Sequence, residues 1–335
     1  MVVFGGGMTA IQARYLLIAM TLLAYAAIAS LTAISDLTIQ PDGIVPLIAA
    51  AFSFVLIGQI CARRGMPRLQ AATECFGFGV LVGIPIALST YLAVRVGFPL
   101  RDDMLAGIDA SLGFEWQRTI GFVETHPAIA AISNISYRTF SYQLIFWPVA
   151  LSILGYCARA YITVAAFAIL CLLSSLISIW TPAIGTYPHY GFDAAALRHL
   201  DAIYGFYFLD QFHDVRSKVD FVWSLTASKG ILTFPSVHAA AALLCAWAAW
   251  PVRLLRFPAI ALNIAMGLST VPSGGHYLID VAAGVAVAVL SIRLAILAGR
   301  AVPAGGIASW QLKSGIWRPA GSRHQADARV SEPKS

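Results

Sequence analysis

Charged side chains are scarce in this chain: Asp, Glu, Lys and Arg make up 11% of the 335 residues, against 59% hydrophobic. A soluble globular chain carries about a quarter charged residues, so a water-soluble domain of this size is excluded. Cysteine is missing from the places where crosslinks form. Cys61, Cys75, Cys157, Cys171 and Cys245 all fall in apolar runs or at their inner ends, which argues against a disulfide framework. No internal repeat is evident, and with it goes a repeat-built architecture. The apolar runs also lack a second cluster of His, Asp or Glu, so a di-metal centre has no ligand set.

What fills the chain is apolar sequence, with a mean hydropathy of +0.76. Runs of roughly 17–25 apolar residues are long enough to cross a bilayer as helices. Eight occur, at 15–35, 44–61, 73–98, 128–154, 160–181, 234–250, 257–273 and 276–298. The expected fold is all-α, a polytopic membrane helical bundle of about eight transmembrane helices. Lys and Arg favour cytoplasmic loops. With the N-terminus inside, the inner segments hold Arg63, Arg64, Arg68, Arg159, Arg253 and Arg256, then a tail with Arg300, Lys313, Arg318, Arg323, Arg329 and Lys334. The outer segments hold Asp36, Asp42, Asp102, Asp103, Asp109, Glu115 and Glu124. Both termini are therefore expected in the cytoplasm. The net charge of +6 sets topology and meets anionic headgroups; it does not imply nucleic acid. Small residues near Ala27-Ile28-Ala29 fit a signal-peptide cleavage site, but the first run is long for an h-region.

Two segments do not read as spans. Residues 100–126 mix apolar, acidic and aromatic residues at helical spacing, as in Met104 to Asp109 and Leu112 to Trp116, which suits an amphipathic helix lying in the outer interface. The outer loop 182–233 is rich in aromatics, among them Tyr187, Tyr190, Tyr204, Tyr207, Phe212 and Trp223. Aromatics prefer headgroup level, and a loop this long is functional or disordered; its aromatics favour an ordered cover. Three regions result: 1–127 with N-terminal spans and the interfacial helix, 128–299 as a catalytic membrane core, and 300–335 as a polar cytoplasmic tail of disordered composition.

The chemistry concentrates in Phe234-Pro235-Ser236-Val237-His238 and Gly274-Gly275-His276-Tyr277-Leu278-Ile279-Asp280. Ionisable residues inside membrane segments are costly and mark function by default. The eight-span topology puts His238 and His276 at the same outer face. Pro235 suits the first turn of a helix, and the Ser236 hydroxyl can meet an anion. Gly274-Gly275 leaves backbone N–H groups open ahead of a helix N-terminus, a ready phosphate site. His276 and Asp280 share a helix face, so Asp280 can hold one ring nitrogen and aim the other at substrate. These residues read as a phosphoryl-transfer centre. A metal reading also exists, since two histidines and a carboxylate suit non-haem iron or zinc.

The two strings resemble the second and third signature motifs of the type 2 phosphatidic acid phosphatase superfamily, Pro-Ser-x-His and His-x-x-x-Asp. Within it they are most similar to the branch that includes inositol phosphorylceramide synthases. The resemblance covers about 190–298 and, more loosely, Asp109 to Trp116. It implies a metal-independent, cofactor-free transfer in two steps. His276 is then the nucleophile that forms a phosphohistidine, Asp280 orients it, His238 is general acid and then base, and Ser236 binds phosphate, beside the Gly275 amide expected from the residues themselves. The implied partners are a phosphorylated lipid in the bilayer and water, an alcohol or a second lipid as acceptor. From the Lys and Arg topology, the site is expected on the outer, periplasmic or lumenal, face, and the expected location is a bacterial inner membrane with the site on its periplasmic side.

The chain departs from the family pattern in its cations. The third motif has Ser-Arg ahead of the nucleophile where this chain has Ser269 and Thr270, and the first motif, Lys-x6-Arg-Pro, is absent. A transferring phosphoryl group needs donors. Arg216 and Lys229 are the expected replacements, ahead of Lys218, Arg198 and Arg138. The missing motif also leaves open a non-catalytic transporter or scaffold that retains the other two, beside a metal-dependent membrane oxidoreductase.

Overall fold

A backbone in lipid has no partner but itself, and a helix satisfies its N–H and C=O groups within one segment. The computed structural model describes residues 8–35, 37–193 and 196–303, and its regular secondary structure is almost entirely helical. In chain order the elements are α1 (Ala10–Ala33), β1 (Thr38–Gln40), α2 (Ile44–Arg63), α3 (Pro67–Arg95), α4 (Asp102–Ser111), α5 (Trp116–Glu124), α6 (Pro127–Arg138) and α7 (Phe140–Ile153). There follow α8 (Cys157–Ser178), α9 (Thr186–His189), α10 (Leu209–Ser217), β2 (Val222–Ser224), α11 (Val237–Ala249), α12 (Arg256–Gly274) and α13 (Leu278–Ala301). Five of these, α1, α2, α3, α8 and α13, are long and apolar enough to cross a membrane. α7 and α11 are apolar but shorter. Asp36 and the tail beyond 303 lie outside the described residues.

The run at 128–154 is two helices rather than one. Thr139 donates its hydroxyl to the Ser136 carbonyl at 2.7 Å and its N–H to the same oxygen at 3.1 Å, closing α6 with a tight last turn before α7 begins. Residues 100–126 also divide, with α4 and α5 separated at Gly113, whose φ of 73° suits glycine. The long loop carries α9, α10 and β2, and β2 pairs in parallel with β1, Ile39 opposite Trp223. That pairing fastens the loop to the α1–α2 connection.

The centre of the bundle is α8, which packs against α1, α3, α7, α11 and α13. Its buried face is built of small side chains, among them Ala160, Ala165, Ala166, Ser174 and Ser178. In lipid, helices associate by close packing, and small residues allow it. A carboxylate of α3 lies fully inside the bundle. Glu74 of α3 accepts from Arg14 Nε of α1 and Tyr161 Oη of α8, each at 2.7 Å, and from Gln59 Nε2 of α2 at 2.6 Å. Four helices thus meet on one carboxylate.

Removing that carboxylate strands a guanidinium and a phenol among apolar neighbours. Glu74→Ala should destabilise the protein by about 3–5 kcal/mol, the range for breaking a buried ion pair. Thermal unfolding in detergent checks it; a loss near zero would mean that water replaces the carboxylate.

Candidate active site

Two helix N-termini form the site. Tyr277 is the N-cap of α13, and Asp280 in the first turn returns its Oδ2 to the Tyr277 N–H at 3.0 Å. The same oxygen accepts from His276 Nδ1 at 3.1 Å. A carboxylate only accepts, so Nδ1 is the donor in this pair and Nε2 is the ring nitrogen left for other contacts. Both side chains are buried. At the other N-terminus, Ser236 caps α11, its Oγ accepting from the Ala239 N–H at 3.4 Å. Its own N–H donates to the Asp280 carbonyl at 3.1 Å, so the two sequence strings are joined backbone to backbone. Gly284 makes this approach possible, because a Cβ there would run into the Ser236 carbonyl.

His238 follows on the first turn of α11. Its ring lies between Tyr137 and Phe140, with centroids 4.2 and 4.1 Å away. Tyr137 also borders His276: a Cβ on Gly274 would stand 3.0 Å from both the Tyr137 hydroxyl and His276 Cδ2. One tyrosine therefore touches one histidine face and lies within about 6 Å of the other by these two distances. Tyr137 and Phe140 carry no sequence signal of their own, since they sit on either side of the break in the 128–154 run.

The amides around Gly275 are not open. The Gly275 and His276 N–H groups both donate to the Thr270 carbonyl, closing α12. Gly275, at φ 68°, is the left-handed cap this closure needs. The first α13 amides are taken as well, Leu278 N–H by Asp109 Oδ2 at 2.7 Å and Ile279 N–H by Oδ1 at 2.9 Å. A resident carboxylate occupies the place expected for phosphate. Burial pushes the Asp109 carboxyl up from its ordinary value, and these two donors oppose the shift.

Asp109 is one of three such clamps. Asp102 accepts from the Ile184 and Gly185 N–H groups at 3.1 and 3.0 Å and from Tyr277 Oη at 3.0 Å. Glu124 accepts from the Arg198, His199 and Leu200 amides at 2.6, 3.0 and 2.9 Å. The 100–126 segment thus braces the loop and α13 together. Asp109 stands seven positions after Asp102, two helical turns on, which places both on one face of α4; that spacing is the available signal.

The structure engages the two expected loop cations elsewhere. Arg216 Nη2 donates to the Phe98 carbonyl at 2.8 Å, fastening α10 to the end of α3. Lys229 Nζ donates to the Tyr207 carbonyl at 2.5 Å. A run of rings, Tyr207 to Tyr204 at 5.9 Å and Tyr204 to Tyr137 at 5.0 Å, connects that position to the histidines. Arg138 pairs with Asp201. Asp280 Oδ1, Thr186 Oγ1 and Thr233 Oγ1 are among the buried oxygens that have no hydrogen-bond partner. The Thr186 N–H donates to the Gly275 carbonyl at 2.8 Å, and Thr233 precedes Ser236 by three residues, so all three border the motifs. Among the described residues, no three His, Cys, Asp or Glu side chains converge to hold a metal ion.

Comparison with known proteins adds one finding. The family model of the PAP2 superfamily matches residues 103–294, more than half of the chain and all of the elements just described from α4 to most of α13. No curated protein and no solved structure matches.

The contact at Gly284 makes a testable demand. Gly284→Ala should push α11 off α13, costing about 1–3 kcal/mol as overpacking does. Gly83→Ala, where a Cβ meets nothing within 4 Å, should not. Paired unfolding measurements decide it; equal behaviour of the two variants would mean that the backbones separate without strain.

Proposed function

The chain belongs to the PAP2 superfamily, and from that membership we propose a membrane phosphoryl-transfer enzyme acting on a lipid phosphate, a lipid phosphatase or headgroup phosphotransferase. The observation that carries the reading is the buried His276–Asp280 pair, 3.1 Å apart, with the helix of His238 held beside it by the Ser236–Asp280 backbone bond. In the proposed reaction His276 Nε2 attacks phosphorus and the bond to the leaving oxygen breaks. His238 gives that oxygen its proton. The resulting phosphohistidine carries positive charge on the ring, which Asp280 opposes. His238, now neutral, takes a proton from water or an alcohol, whose oxygen attacks phosphorus and frees His276. One hard displacement becomes two easier ones with acid–base help near neutral pH.

The phosphate charge must be met by donors. With the Gly275 and α13 amides engaged, we assign that task to Ser236 and Lys229. The Lys229 stem is flexible, and the Tyr207–Tyr204–Tyr137 rings line its way to the site. Arg216, bound to the Phe98 carbonyl, is assigned to holding the loop. The acidic clamps and the arrangement of Lys and Arg support a site on the outer, periplasmic side with both termini cytoplasmic.

His276→Ala should abolish turnover of a lipid phosphate and the acid-labile phosphoryl label on the protein, with folding intact. His238→Ala should stop turnover of ordinary substrates yet still accept label from a p-nitrophenyl ester, whose leaving group needs no proton. Full activity in either variant, or turnover abolished by EDTA, would overturn the scheme.

The two loop cations separate by readout. Lys229→Ala should lower kcat/KM by about 2–4 kcal/mol in transition-state terms, the range for losing one donor to developing charge, with little change in melting temperature. Arg216→Ala should do the reverse. If both variants lose stability and keep kcat/KM, phosphate is bound without either.

A further inference from the structure

A groove of about 820 Å³ lies between α11, α12 and α13 and opens sideways from the bundle. α11 lines it with Ala239, Ala242 and Ala246, above Trp247 and Trp250, a spacing that keeps them on one helix face. The alanines leave the space. Opposite them, a methyl on Gly267 would stand 3.8 Å from the Ala242 Cβ, so a large side chain on either wall would close the gap. The groove starts one residue beyond each motif: Ala239 follows His238, and Val281, also in the wall, follows Asp280. At its other end Arg159 is stacked on Trp247, 3.9 Å from the ring centroid, and tied to the carbonyls of Trp247 and Ala248.

Two further observations indicate that the groove is built to be filled. Ala239 to Trp250 is eleven residue steps, which at about 1.5 Å each gives roughly 16 Å, close to half of a hydrocarbon core about 30 Å thick. The groove is as long as one leaflet is deep. Asn263, only 3% exposed, lines the wall. Its Nδ2 donates to Gln143 Oε1 and the Ala259 carbonyl, while its Oδ1 has no partner. A completed helix interface seldom leaves a buried acceptor open.

We propose that this groove holds one alkyl chain of the lipid whose phosphate is handled at His276, and that the Arg159–Trp247 pair is its end wall. The inference rests on the lipid-phosphate reading above and names the part of the substrate which that reading leaves open. The bilayer already surrounds a chain with hydrocarbon, so the groove gains nothing from removing it from water. Its contribution is fit. A straight chain up to one leaflet long lies along the alanine stripe, and a longer one meets the guanidinium–indole stack.

The test uses the full-length protein in phosphatidylcholine vesicles with octyl, dodecyl and hexadecyl phosphates, each carrying a diazirine on the terminal carbon. After illumination, adducts are mapped by mass spectrometry, and phosphate release is followed in parallel samples. The octyl label should fall near Ala242 and Leu243 and the dodecyl label at Trp247 and Trp250. Ala246→Phe, or Gly267→Leu should that variant not fold, should cut the dodecyl adducts about tenfold, as misfit in an apolar pocket does. Adducts on Leu22 and Phe52, exposed on α1 and α2, should not change. Wild-type adducts spread evenly over α1, α2 and α11 would show bulk lipid only and overturn the proposal, as would adducts that ignore Ala246→Phe. Phosphate release with evenly spread adducts would sink the groove and leave the activity standing. Groove adducts without release would sink the activity and leave the groove.

Discussion

The N–H of Ser236 on the carbonyl of Asp280, with Gly284 bare beneath it, is the contact on which the rest of the site depends. It joins two strings 40-odd residues apart at the backbone, where no side-chain rotation can alter the spacing. Asp280 then serves both sides of the joint. Its carbonyl receives Ser236, and its carboxylate receives His276 and the Tyr277 amide. His238 needs only to ride on the first turn of α11 to be placed, and the Tyr137 and Phe140 rings fix its plane. A histidine held by stacking keeps its ring nitrogens for other work.

Around this joint the protein uses carboxylates as fasteners for backbone amides. Asp102, Asp109 and Glu124 each collect two or more N–H groups from segments far away in sequence. A helix N-terminus attracts anions through its unpaired N–H groups and dipole, and at α13 that attraction is met by Asp109. At that helix end a second anion would have to draw on side chains rather than on the Leu278 and Ile279 amides. For Glu124 the donors overcome the effect of burial, and its carboxyl lies below the ordinary value.

Much of this was legible in the sequence. The spacing of His276 and Asp280 gives their contact directly, and the apolar runs give the helices, because hydropathy and period four are local properties. Other features depend on tertiary partners. Nothing in Tyr137 marks it as a neighbour of both histidines, and a run of apolar residues through 128–154 conceals the hydroxyl of Thr139 that ends a helix. From sequence alone Gly275 reads as an open amide because glycine permits close approach; the structure uses its other property, a positive φ, to close α12. The acidic residues of 100–126 look like outward-facing charge until their amide partners are known. Arg216 looks like a spare cation until the Phe98 carbonyl is seen beneath it.

The Glu74 cluster bears on how the chain enters the bilayer. Arg14 sits on the first long apolar helix and Glu74 on the third. A lone ionised side chain at the centre of a spanning helix costs about 2.5–3.5 kcal/mol to insert, less near a helix end, where a long side chain can reach the headgroups. Neither helix is at rest in lipid alone. Each becomes so only when the other is beside it, with Gln59 and Tyr161 arriving from α2 and α8. All four helices that meet on Glu74, α1, α2, α3 and α8, precede the histidine-bearing helices in the chain, so the cluster needs nothing that is made after them.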